Sequence, residues 1–168
     1  MASSIVTVSE GYPSEIDPTL KIQVHTLMRA FDRLGVSTLV ISPEKRMSIT
    51  QRRKPFNRPP RQEEYEDINV LRPRYTPLSS RMLPVIGSTF RWTVRNFSQA
   101  VFKARSSIDF SPKLTYGHFL MPGGVGALRL ADAFDSQAVV ALGESSFSRY
   151  EAHFGIDCVA HELHWIPN

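Results

Sequence analysis

The chain has 168 residues, 42% apolar content and a net charge of +4. This length supports one ordinary hydrophobic core, so we predict a single domain over residues 1–168 and exclude two large ones. The single cysteine, Cys158, excludes an internal disulfide and a cysteine metal cluster, and it indicates a reducing cytoplasm as the compartment.

The first 42 residues predict a strand, a helix and a second strand. β-branched and apolar runs at residues 5–8 and 36–42 are typical of buried strands. Between them, Asp17 followed by Pro18 predicts a helix start, apolar residues recur at helical spacing, and Gly35 predicts the helix end. Two strands joined by an amphipathic helix imply a parallel sheet, so we predict an α/β fold with a mainly parallel sheet.

Residues 43–67 predict an exposed and partly disordered basic loop, because proline and charge are frequent there and apolar periodicity is absent. The basic run at 52–54 can bind phosphate or an anionic membrane surface. The alternative is a solvated insertion whose charge is balanced by the acidic residues that follow. Nucleic acid is not predicted as a partner, since only Phe56 and Tyr65 supply aromatic rings among these charges.

Strands and helices continue to alternate after this loop. A helix with apolar residues from Phe90 to Val101 has a basic outer surface, which suits either a membrane surface or simple solubility. The remaining predicted elements are strands at 68–71, 114–116, 137–142 and 156–159, the third of them central, and helices at 127–134 and 146–154.

Residues 116–126 join a predicted strand to a predicted helix through a Pro-Gly-Gly turn, with His118 at the strand end. Ligands of open α/β sheets bind at the carboxyl ends of strands, and the first turn of the next helix offers N–H groups to an anion. The alternative is structural: the glycines make a tight connection and His118 is a partly buried packing residue.

Several catalytic signatures are absent from the sequence. Residues 123–126 do not form a Gly-x-Gly-x-x-Gly fingerprint, and residues 143–146 lack the second glycine of a serine nucleophile elbow. A nicotinamide enzyme and a serine hydrolase are therefore not favoured. His161 and His164 lack acidic partners, so no metal site is predicted.

The loops at strand ends gather polar residues. In a doubly wound sheet the loops at 9–16, 116–126 and 143–146 meet along one edge. Histidine can orient or deprotonate a hydroxyl group, and carboxylates can bond a polyol. The side chains expected to share this cleft are Glu10, Glu15, His118 and Glu144.

Seven short segments resemble the N-terminal half of bacterial glycosyltransferase family 4 enzymes, which are retaining transferases of the GT-B fold. The segments follow the family's order along almost the whole chain. They are residues 12–18, 24–25, 40–43, 72–75, 116–124, 139–144 and 165–168.

This resemblance implies a Rossmann-like three-layer domain, one half of a GT-B fold, on the acceptor side of a glycosyltransferase. The whole enzyme would move a sugar from a nucleotide-sugar donor to a carbohydrate or lipid-linked acceptor, with retention and without a metal or other cofactor. The implied catalytic residue is His118. The implied acceptor-binding or cleft residues are Glu10, Gly11, Tyr12, Glu15, Gly123, Gly124 and Glu144.

The chain departs from the family pattern at three positions. Lys21 stands where relatives have a glycine, Tyr116 replaces the first of two histidines, and Leu142 replaces a later histidine. The paired-glutamate motif of the family's donor-binding C-terminal domain is not found within residues 1–168, so the resemblance implies either an excised domain or a truncated or stand-alone relative, and this chain alone is predicted to be inactive. We expect a cytoplasmic location, peripheral on the inner face of the membrane. The alternative is a non-catalytic half-fold module that docks on a membrane or protein partner.

Overall fold

The computed structural model describes residues 3–46, 58–78, 82–83 and 87–143. The basic run at 52–54, Glu144, His161, His164, the helix predicted at 146–154 and the strand predicted at 156–159 lie outside the described residues. The elements are β1 Ser4–Val8, α1 Ile22–Arg33, β2 Ser37–Ile41, β3 Glu44–Lys45, β4 Gln62–Tyr65, β5 Ile68–Leu71, β6 Arg74–Tyr75, β7 Met82–Leu83, β8 Gly87–Ser88, α2 Thr89–Ala104, β9 Leu114–His118, α3 Val125–Phe134 and β10 Gln137–Ala141.

Six strands form the main sheet in the order β10-β9-β1-β2-β5-β4. Every pairing is parallel except that of β4 with β5, which is antiparallel. The predicted α/β class with a mainly parallel sheet is confirmed. Within the described residues β10 pairs with β9 alone, and Val139 in this strand is 50% exposed. Its place as a central strand stays a prediction, because the strand predicted at 156–159 lies outside the described residues.

The prediction of a loop over residues 43–67 is wrong at both ends, since Glu44–Lys45 is the short strand β3, which pairs with β6. Gln62–Tyr65 is a strand, and it turns into β5 through Glu66 and Asp67, which both have positive φ angles. Two consecutive residues with positive φ form the tight turn whose twist suits an antiparallel hairpin. The charged residues of β4 occupy an edge, where one side of the strand faces water.

Helix α1 begins later than predicted. Asp17 does not cap the helix, because its backbone N–H donates to Ser14 Oγ and its carboxylate accepts from the Thr19 hydroxyl. The chain stays in a turn until Lys21, whose φ of 55° is left-handed, and the helix starts at Ile22. The predicted end is confirmed: Gly35 follows the helix with a φ of 73°.

Two apolar layers lie on opposite faces of the sheet, as alternating strand residues require. Helices α2 and α3 cover one face, where Val8, Ile41, Phe97, Val101 and Leu130 are fully or nearly fully buried. Helix α1 covers the other face, where the buried residues are Tyr12, Val24, Met28, Val40, Ile68 and Val70. The three-layer arrangement is therefore confirmed.

A buried hydrogen-bond chain ties α1 to the β4–β5 turn. The Tyr12 hydroxyl lies 2.8 Å from His25 Nδ1, and His25 Nε2 lies 3.0 Å from Glu66 Oε2. Burial raises the pKa of Tyr12 above its ordinary value, so the hydroxyl keeps its proton. It can then donate to Nδ1 while Nε2–H donates to Glu66. Arg29 completes the chain with a 3.0 Å bond to the Glu66 carbonyl.

We predict that His25→Ala lowers the free energy of unfolding by about 2–3 kcal/mol, because it leaves the buried Tyr12 hydroxyl without its partner. Urea denaturation followed by circular dichroism measures the change. Asp32→Ala, an exposed change on the same helix, is the control and should stay within about 0.5 kcal/mol of the parent. Equal effects of the two substitutions would contradict the role of the network.

Candidate functional site

The sheet reverses its winding direction at β1. Strand β2 pairs with one side of β1, and β9, which comes much later in the chain, pairs with the other side. In open α/β sheets this reversal opens a crevice at the carboxyl ends of the two diverging strands. The loop after β1 and the turn after β9 border this crevice, so it is the candidate site.

Four polar residues lie in one row across the carboxyl edge. The strand register places Ser9, Ser42 and Arg72, which follow β1, β2 and β5, level with His118 at the end of β9. Within the described part of the chain, Ser9 Oγ, Ser42 Oγ and His118 Nε2 are buried atoms with no hydrogen-bond partner. The row therefore retains hydrogen-bonding capacity at the crevice, which suits a hydroxylated ligand.

His118 is held by aromatic neighbours. Its ring centroid lies 4.1 Å from that of Phe119, and its Nδ1 lies 3.3 Å from the Tyr116 hydroxyl. Burial first, and then the charge of Lys21, lower the pKa of His118 below its ordinary value. The imidazole is therefore neutral at pH 7, and it can act as a hydrogen-bonding group.

Lys21 reaches this histidine from the start of α1. Its Nζ lies 4.2 Å from the centroid of the Phe119 ring, a cation–π arrangement. Lys21 and Phe119 have φ angles of 55° and 67°, which glycine adopts more readily than any other residue. Lys21, with ψ 39°, is in the left-handed helical region, whereas Phe119, with ψ 156°, is in an extended region that is nearly confined to glycine. Each conformation costs about 1–3 kcal/mol, so strain is concentrated at the crevice.

The Pro-Gly-Gly turn packs tightly beneath His118. It is a kinked turn at Leu120–Gly124 with a cis Met121–Pro122 peptide bond. A Cβ atom on Gly123 would lie 2.5 Å from the His118 carbonyl oxygen, and one on Gly124 would lie 2.7 Å from Val140 Cγ1. Both glycines are buried and are explained by this packing; their ligand contact stays a prediction.

The other predicted site residues are spread over different surroundings. Glu10 follows Ser9 on the carboxyl edge, where its carboxylate lies 3.4 Å from Lys45 Nζ, while Glu15 is exposed. Gly11 is buried against Leu20. Tyr12 is fully buried, and its side chain belongs to the α1-side core rather than to the crevice.

Arg72 is an organising residue that sequence reasoning missed. Its side chain is fully buried, and its guanidinium donates to the carbonyls of Tyr12 at 3.3 Å and Pro13 at 2.6 Å. The same group pairs with Glu63, with a 2.8 Å bond from Nε, and lies 3.8 Å from Glu44. It thus anchors the loop after β1, which borders the crevice.

Sequence signals for the missed residues are weak. Lone arginines are usually exposed, so Arg72 is not expected to be buried. Ser9 and Ser42 each follow a buried apolar strand directly, and this repeated position is the signal that could have identified them. Lys21 is marked in the sequence only as a replacement for a glycine of the family pattern, and its contact with Phe119 has no local signal because it joins distant parts of the chain.

The fold and the reversal of the sheet at β1 define a Rossmann-like α/β domain with a crevice at the strand ends. No protein-family model matches the chain. A Bacillus subtilis (strain 168) protein described as "Putative teichuronic acid biosynthesis glycosyltransferase TuaC" is 26% identical over an alignment of 153 residues that covers 87% of this chain. The chain spans 37% of the length of that relative. The similarity supports a glycosyltransferase relationship.

Membrane-spanning helices and metal-binding clusters are both absent from the described residues. None of their helices has the length and apolar character needed to cross a membrane. No group of three or more histidine, cysteine, aspartate or glutamate side chains is arranged among them to hold a metal ion.

We predict that Arg72→Met lowers the free energy of unfolding by about 3–5 kcal/mol, because Glu63 would remain buried without its cationic partner. Arg72→Lys keeps the charge but loses the planar pair of hydrogen bonds, so its free energy of unfolding should lie between those of the parent and the Arg72→Met protein. Urea denaturation measures all three proteins. Arg33→Met, which removes an exposed arginine, is the matched control, and an equal loss there would count against the anchoring role.

Proposed function

We propose that the chain is the N-terminal, acceptor-side domain of a retaining GT-B glycosyltransferase of family 4 type. The whole enzyme would move a sugar from a nucleotide-sugar donor to a carbohydrate or lipid-linked acceptor. The similarity to a relative whose name assigns it to teichuronic acid biosynthesis supports glycosyl transfer. The observation that carries the proposal to this site is His118, which ends β9 at the crevice and whose buried Nε2 is unpaired among the described residues.

His118 would act by contact with a substrate hydroxyl close to the reacting carbon. Its neutral imidazole can donate or accept one hydrogen bond through Nε2, since Nδ1 already faces the Tyr116 hydroxyl. Ser9 and Ser42 lie in the same row and offer further hydroxyl contacts. Glu10 follows Ser9 on the same edge, 3.4 Å from Lys45 Nζ, and its carboxylate would bond a polyol in this proposal.

Complete turnover requires a donor-binding domain in this proposal. In this proposal the row at the carboxyl edge supplies contacts for an acceptor, and the chain spans only 37% of the length of the glycosyltransferase that it resembles. We therefore propose that the chain alone does not turn over substrate and that a C-terminal GT-B domain is its partner. The chemistry needs no metal in this scheme, since His118 and the hydroxyl row contribute hydrogen bonds.

We predict that His118→Ala lowers the transfer rate about 100-fold in a protein that joins this chain to its donor-binding domain, because one hydrogen bond near the reacting centre is lost. The release of nucleoside diphosphate from a panel of UDP- and GDP-linked sugars measures the rate. Arg33→Ala, an exposed change on α1, should leave it unchanged. Undiminished transfer by a folded His118→Ala protein would refute the role.

An anionic membrane surface is the second partner we propose, through the outer face of α2. The segment 89–107 contains no acidic residue. Trp92 is 44% exposed, and guanidinium groups lie over exposed or half-buried aromatic rings: Arg95 is 5.7 Å from the Trp92 centroid and Arg105 is 3.7 Å from the Phe102 centroid. Basic and aromatic side chains on one helix face favour anionic headgroups.

We predict that the double change Arg95→Glu and Lys103→Glu weakens binding to vesicles that contain phosphatidylglycerol by at least about tenfold, because each basic residue contributes about 1 kcal/mol near such a surface. Vesicle co-sedimentation measures this, with phosphatidylcholine vesicles as the neutral reference. The double change Arg33→Glu and Lys113→Glu makes the same charge difference elsewhere and should have little effect. Equal weakening by both pairs would refute a specific docking face.

A further inference from the structure

Lys21 has an unusual backbone conformation for a residue other than glycine. Its φ and ψ of 55° and 39° are left-handed, and its side chain makes no capping bond to α1. A glycine would adopt this conformation without strain. The strained residue points its ammonium at another strained residue, Phe119, whose φ is 67°. Strained backbone conformations such as those of Lys21 and Phe119 occur most often at functional sites.

A series of side-chain contacts links Lys21 to the candidate site. The ammonium lies 4.2 Å from the Phe119 centroid, the Phe119 ring lies 4.1 Å from the His118 ring at a tilt of 38°, and the Tyr116 hydroxyl lies 3.3 Å from His118 Nδ1. Four side chains from the start of α1 and the end of β9 thus form one stack. Its inner member, His118, keeps Nε2 unpaired among the described residues.

We propose that Lys21 is a positioning residue for His118: its ammonium, held over the Phe119 ring, keeps the imidazole a neutral hydrogen-bonding group in the crevice. The proposal rests on the proposed function only in taking His118 as the group that meets the substrate. The link between Lys21 and His118 itself depends on the stack.

The electrostatic reason is direct. A second positive charge beside an ammonium in a partly buried site is unfavourable, so Lys21 opposes protonation of His118. The pKa of His118 is lowered by burial first and by Lys21 second. The titratable groups described at His118 are Lys21 from the start of α1 and Tyr116 from β9. Burial raises the pKa of Tyr116, so its hydroxyl stays protonated and adds no negative charge.

A neutral imidazole also has a defined direction. When the Tyr116 hydroxyl donates to Nδ1, the imidazole proton lies on Nε2, which then donates to an oxygen in the crevice. Lys21 and Tyr116 therefore act together: Lys21 disfavours the second proton, and Tyr116 selects which nitrogen carries the first. Phe119 packs against the His118 ring and fixes the orientation of the imidazole plane.

An NMR titration of the His118 imidazole tests the proposal without substrate. In Lys21→Met and Lys21→Gly the midpoint should move to higher pH, because the opposing charge is gone. Lys21→Arg keeps the charge over an aromatic ring and should retain the parent midpoint. Lys113→Met, which removes an exposed lysine elsewhere, should also retain it. The His118→Gln protein assigns the resonance.

The substitution Lys21→Gly distinguishes the effect of the Lys21 charge on His118 from any effect of Lys21 on the stability of the fold. It relieves the left-handed strain, so the melting temperature should not fall, whereas the His118 midpoint should still rise. A merely structural Lys21 would leave the midpoint in place. An unchanged midpoint in Lys21→Met overturns the proposal whatever the enzyme does. A raised midpoint supports it even if His118→Ala leaves transfer intact, an outcome that would refute only the proposed function.

Discussion

The buried guanidinium of Arg72 is the constraint on which the carboxyl edge depends. A charge without solvent is costly, so it has to be matched inside the fold. Glu63 from the edge strand β4 supplies the opposite charge, and the carbonyls of Tyr12 and Pro13 accept the remaining hydrogen bonds. One side chain therefore joins β5, β4 and the loop after β1. The loop cannot shift without leaving either the cation or the carbonyls unpaired.

On the side of the crevice opposite Arg72, the carboxyl edge of the sheet contains strained backbone. The positive-φ backbones at Lys21 and Phe119 and the packed glycine turn lie on the β9 side of the crevice, where His118 ends its strand. Strain persists only where surrounding structure over-determines it. Here the surrounding structure is the close packing of Gly123 and Gly124 on the strand end and the rigid frame that Arg72 provides on the other side.

Local patterns in the sequence predicted much of this fold. The first βαβ unit, β5, α2, β9 and α3 were recognisable because their apolar spacing is contained within each segment. The start of α1 was not, because the Asp17–Pro18 pattern competes with a turn that uses Ser14 and Thr19. The edge strand β4 was hidden by its charges. For the site, the position of His118 followed from the strand end, whereas Arg72 and Lys21 act through contacts between distant segments that no local pattern records.

The sheet combines pairings of very different range along the chain, and this bears on how it folds. The β4–β5 hairpin joins neighbouring segments, and hairpins form in about 1–10 μs. The β1–β9 pairing is flanked by a bond between Ser4 and Lys113, which are 109 positions apart. The entropy cost of closing so long a loop is met before the contacts between the strands can stabilise it, so such pairings form slowly. The crevice lies at that seam, so we expect it to form after the hairpin that holds Glu63.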